Sequence, residues 1–146
     1  MSAVKLSVFR KPVAKANGWI KEIGKRMKWN DEEDALKALR VVLHALRDRL
    51  TIDEAAQLSA QLPLVVRGIF FEGWRPHGHA HRAGGLNGFF GEIDAQLPNV
   101  TPRDRKRAVQ IVFDVLAHHI SQGEVGDIAA VLPAEMSEFW TATVAD

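Results

Sequence analysis

The chain has no cysteine among its 146 residues, which removes disulfides, thiolate metal sites and cysteine nucleophiles from consideration. It has no run of about 18 apolar residues, the length that a membrane-spanning helix requires. The opening stretch from Met1 to Lys11 contains no continuous apolar segment of signal-peptide length. These absences lead us to expect a cytoplasmic chain without membrane contact. A phosphate-binding glycine loop, a nucleophile elbow and a dinucleotide fingerprint are also missing. No carboxylates form a conspicuous metal-binding or acid/base pair at helical spacing, so the reading leans away from an enzyme.

What is present is ordinary in amount and unusual in distribution. Apolar residues make up 47% and charged residues 25%, as in a typical globular protein. The net charge is only +1, yet residues 1–29 hold eight basic side chains against a single acid, Glu22. Residues 121–146 hold five acids and neither lysine nor arginine. Such polarity attracts an acidic partner or draws the two ends of the chain together.

The strongest pattern is internal. When the sequence is slid along itself by about 70 residues, Asn17-Gly18-Trp19-Ile20 falls on Asn87-Gly88-Phe89-Phe90, and Glu22-Ile23 on Glu92-Ile93. In the same register Leu46 meets Leu116, Thr51 meets Ser121, Glu54 meets Glu124, and Leu62-Pro63 meets Leu132-Pro133, without a gap. This register predicts an all-α protein, a tandem duplication of a three-to-four-helix unit, the two units packed together. The expected divisions are a basic leader over 1–16, partly disordered, then unit one over 17–74, a His/Gly-rich linker over 75–86 and unit two over 87–142.

Both units read alike. A first helix spans roughly 17–28 and 87–97, with apolar residues at spacings of three and four. The second starts at Asn30 or Asp31, and at Thr101-Pro102, an N-cap followed by proline in the first helical position. Its buried stripe includes Leu39, Val42, Leu43, Leu46 and Leu50, matched by Val109, Val112, Phe113, Leu116 and Ile120. Thr51-Ile52-Asp53-Glu54 and Ser121-Gln122-Gly123-Glu124 predict capping boxes, in which the hydroxyl accepts from a backbone N–H and the glutamate reaches back. Pro63 and Pro133 end the third helix and seed a short fourth one through Phe71 and Trp140, with Gly73 capping the first of these.

The blocks Val42 to Thr51, Glu54-Ala55-Ala56-Gln57-Leu58, Gln61-Leu62-Pro63 and Phe71-Glu72-Gly73-Trp74 resemble a bacterial family catalogued as domain of unknown function 2267. The resemblance covers roughly 17–142. It implies an all-helical fold of bacterial origin and assigns no catalytic or cofactor residue.

Three groups of side chains stand out as candidate sites. In an extended linker His77, His79 and His81 point the same way, and three neutral imidazoles suit zinc or another transition metal. No general base lies near, and alternate histidines in a glycine-rich loop also occur as solvated spacers, so no cofactor is otherwise expected. Phe70, Phe71 and Trp74 occupy neighbouring positions of a short helix and its cap and cannot all face one core. They are a candidate interaction surface or the seam between units. Arg103, Arg105, Lys106 and Arg107 crowd the first turn of a helix, where cations oppose the helix dipole, and this makes them a candidate anion site. With the basic leader they suggest nucleic acid, but the near-neutral total charge argues against a dedicated nucleic-acid binder. His44 aligns with Asp114, and the shared polarity of that position predicts solvation. The leading expectation is a non-enzymatic protein-interaction or self-association module, its partner another protein or a second copy.

Overall fold

The computed structural model describes residues 6–77 and 84–145. These form eight helices: α1 (Ser7–Met27), α2 (Glu32–Arg47), α3 (Ile52–Ala60), α4 (Leu64–Phe71), α5 (Gly85–Gln96), α6 (Pro102–His119), α7 (Gln122–Val131) and α8 (Ala134–Val144). No strand occurs among the described residues.

The helix starts follow from local chemistry. Asp31, Thr51, Thr101 and Ser121 are extended N-caps, and each side-chain oxygen accepts a backbone N–H of the first turn. Pro63 and Pro133 are themselves the caps of α4 and α8, where their carbonyls receive the N–H groups of Arg67 and Ser137 at 2.8 Å. Gly73, just past α4, takes φ +65°, a conformation that costs glycine little.

The glutamates of the expected capping boxes behave differently. Ser121 N–H donates to Gln61 Oε1 at 2.7 Å, and Gln61 Nε2 donates to Ser121 Oγ at 3.3 Å. The return arm of the box is therefore supplied across the fold by Gln61, and Glu124 is turned elsewhere. Thr51→Ala and Ser121→Ala should each lower stability by about 1 kcal/mol, measurable by urea denaturation, with the Ser121 change the larger because it also removes the hydroxyl that accepts from Gln61 Nε2.

α1 starts well before the position expected, so most of the segment read as a leader is helix. Pro12 lies inside it. Proline forfeits one intrahelical bond, and the exposed early turns of α1 face Pro63 and Leu64, at the start of α4, across an open groove.

One apolar core joins all eight helices, built around Trp19, Leu39, Leu43, Phe70, Phe89, Phe113 and Trp140. The first four helices and the last four do not keep separate interiors, because α1 packs on α6 as well as on α2, and α5 packs on α2 as well as on α6. Each substantial contact has a counterpart four helices further on. α1–α4 matches α5–α8, α2–α4 matches α6–α8, and α3–α4 matches α7–α8, while α2–α6 and α3–α7 are their own counterparts. The pairing of α3 with α7 is what brings Gln61 to Ser121.

Candidate functional site

The side chains singled out from sequence are dispersed in the fold. His77 is exposed; His79 and His81 lie outside the described residues. Phe70 is fully buried, so its ring is closed off from any partner. Phe71 meets it edge-on at 5.2 Å between ring centres, and Trp74 meets Phe71 at 5.1 Å; both are half-buried against the core.

The basic group at the start of α6 is divided. Arg105 pairs with Asp94 at 2.6 Å and donates to the carbonyls of Leu97 and Val100, closing the C-terminal end of α5. Arg107 reaches across to the carbonyl of Arg26 at 3.1 Å. Arg103 and Lys106 are exposed. The cost of cations in a first turn is offset here by bonds to the ends of neighbouring helices.

His44 is a correction. Its ring is largely buried, and Nε2–H donates to the Ile69 carbonyl at 2.6 Å. Burial holds its pKa below the usual histidine value, outweighing the opposing effect of that hydrogen bond. The register partner Asp114 is also drawn inward, to a 2.7 Å ion pair with Arg26. Both positions are polar because they bond across helices and not because they face water.

A cleft of about 540 Å³ opens between α1, the α3–α4 turn and the end of α6, lined by Lys15, Trp19, Glu22, Gln61, Pro63 and His119. His119 stacks on Trp19 with ring centres 4.6 Å apart and lies 4.0 Å from Glu22. The corresponding place at α5 holds Arg49, whose guanidinium lies 5.3 Å from the centre of the Phe89 ring and bonds Glu92 at 2.9 Å. A flat nitrogen-bearing side chain, an aromatic ring and an acid recur in both places. The longer arginine is buried, whereas the shorter histidine leaves space beside it.

The least expected cluster is acidic. Glu54 on α3 and Glu124 on α7 are 5% and 4% exposed, and one oxygen of each carboxyl (Oε2) is buried without a hydrogen-bond partner. With Asp127, exposed on α7, they place one oxygen apiece within 4.8 Å of one another. No ion pair among the described residues reaches any of the three. Burial, followed by the hydrogen bond and charge of Glu54 and the charge of Asp127, pushes Glu124 up to about 7. Sequence reasoning missed this group because the two glutamates lie in different halves and each was read as a helix cap.

Residues 16–139 match the family described as Uncharacterized conserved protein (DUF2267). The chain belongs to this family. A search of curated proteins found no match. As a DUF2267 member the chain joins an all-helical fold to a family description that names no reaction. Among the described residues no helix is long and apolar enough to cross a membrane.

Proposed function

We propose that this DUF2267 chain is a non-enzymatic self-association module, in which the basic, apolar first turns of α1 of one copy seat against the acidic α7–α8 side of another. The observation that carries this reading is the exposure of Leu6, Val8 and Phe9, at 60%, 68% and 52%, where α1 begins. Val8, with Lys11 and Lys15, lines a groove of about 340 Å³ that α1 forms with Pro63 and Leu64. Exposed apolar side chains of this size, close in sequence to basic ones, mark contact surfaces. The complementary charge is carried by the same molecule: Asp127, Glu135 and Glu138 are exposed on α7 and α8. A two-fold arrangement would use both patches of each copy and close on itself.

Sedimentation equilibrium from micromolar to submillimolar concentration tests this. The wild type should form a dimer that weakens as salt rises, and a Val8→Asp/Phe9→Asp variant should dimerise about tenfold or more weakly. Aspartate near a helix N-terminus favours the helix, so unchanged circular dichroism is expected. A wild type that stays monomeric throughout, at low salt, overturns the proposal.

We also infer that the two halves are copies of one unit. Support comes from the ungapped sequence register, the matched caps at Thr51/Ser121 and Pro63/Pro133, and the set of helix contacts that repeats four helices on. On that reading α3 and α7 meet as equivalent elements, and Glu54 confronts its own counterpart.

A further inference from the structure

We propose that Glu54, Glu124 and Asp127 form a binding site for a hard divalent cation, of the magnesium, calcium or manganese class, at the α3–α7 contact. Three observations carry it. The first is geometric. A cation holding oxygens at about 2.4 Å can span ligands up to about 4.8 Å apart, and the three carboxylates each present an oxygen within 4.8 Å of the others.

The second is the state of the two buried groups. Glu54 and Glu124 each bury one carboxyl oxygen (Oε2) without a hydrogen-bond partner, although the residues are 5% and 4% exposed. A buried carboxylate is stable when paired, protonated or bound to metal. No described lysine, arginine or histidine pairs with either one. What remains is a proton shared between the two carboxyls or a cation bound by both.

The third is the asymmetry of the site. Asp127 is exposed, whereas Gln57 stands at its register partner on α3. A third carboxylate on the open side gives an ion an entry path and a surface ligand, which a shared proton does not require. An all-oxygen, anionic donor set selects hard cations and disfavours the softer metals that imidazole would bind. The site is therefore distinct in chemistry from the linker histidines, and it joins the two halves of the chain.

The test is binding of manganese, followed by the loss of its free-ion electron paramagnetic resonance signal at pH 8, together with melting temperatures in chelator and in millimolar calcium, magnesium or manganese. Saturable uptake of one ion per chain and a higher melting temperature are expected. Asp127→Asn, at an exposed position where misfolding is not expected, should weaken binding about tenfold or more, and Glu54→Gln/Glu124→Gln should abolish it. A His77→Ala/His79→Ala/His81→Ala variant should bind as the wild type does. The proposal is overturned if no divalent ion alters the spectrum or the melting temperature at pH 8, or if binding persists in the glutamine variants and disappears with the histidines. Because Asp127 also lies on the acidic side proposed for self-association, binding is measured at a dilution where the chain is monomeric, which keeps the two outcomes distinguishable.

Discussion

Replacing Arg47 with alanine should destabilise the protein by about 3–5 kcal/mol, a fall in melting temperature of roughly 10–15 °C. The side chain is 3% exposed. Its Nε–H donates to Asp48 Oδ1 at 2.9 Å, and Nη1 donates to the carbonyls of Phe70 at 2.8 Å and Glu72 at 2.7 Å. One guanidinium thus closes the C-terminal end of α4 and neutralises a buried carboxylate. Alanine would leave two inward carbonyls without this donor and take the Arg47 guanidinium away from Asp48, besides opening a cavity. Arg47→Met, which restores most of the volume, separates these contributions. If volume dominates, methionine recovers most of the loss. If charge dominates, as we expect, methionine remains nearly as unstable as alanine, and Arg47→Met/Asp48→Asn recovers part of the loss. Urea denaturation of the four proteins provides the comparison, and a loss under 1 kcal/mol in Arg47→Ala would show that the buried network is worth little net.

Arg47 also shows where sequence reading stops. In Leu46-Arg47-Asp48-Arg49-Leu50 the apolar stripe is plain, and the intervening charges look like a solvated face. Periodicity reports the face a helix buries against one neighbour. It does not report how many neighbours the helix has. α2 is packed by α1, α4, α5 and α6, so its polar positions are enclosed as well. Arg47, Arg49 and His44 become internal bonding groups for that reason. Features decided within a few residues were legible: the caps at Asp31, Thr51, Thr101 and Ser121, the proline starts of α4 and α8, and the glycine after α4. The early start of α1 was not, because Pro12 signals a boundary locally and the turns before Ala16 carry no buried apolar stripe.

The acidic cluster illustrates the same limit in the candidate site. Glu54 and Glu124 share a register, so their equivalence was readable. Their meeting was not. It depends on α3 lying against α7, and on Gln61 taking the backbone N–H of Ser121 that a capping-box glutamate would otherwise engage. A local motif was overridden by a nonlocal partner, and the glutamate so released turned toward its counterpart.

Glu124→Gln should remove a pH dependence from the stability of the wild type. Folding raises the Glu124 pKa from 4.5 to about 7, chiefly by burial and then by Glu54. The folded state therefore holds a proton that the unfolded chain releases, and the sign follows from linkage. The stabilising contribution of this group is complete below about pH 4.5. It diminishes as pH rises and is lost above about 7, for a total of about 3 kcal/mol. His44 contributes in the opposite sense. Its lowered pKa gives stability that is present above its ordinary value of 6.5 and is lost as pH falls toward the folded value. Subtracting variant from wild type at each pH cancels the histidine and isolates the dyad. In chelator, Glu124→Gln should be more stable than wild type at pH 8 and nearly equal to it at pH 5, because the amide donates to Glu54 without adding charge. If the difference is the same at both pH values, the two carboxyls do not share a proton, and the burial that defines the cluster does not govern its ionisation.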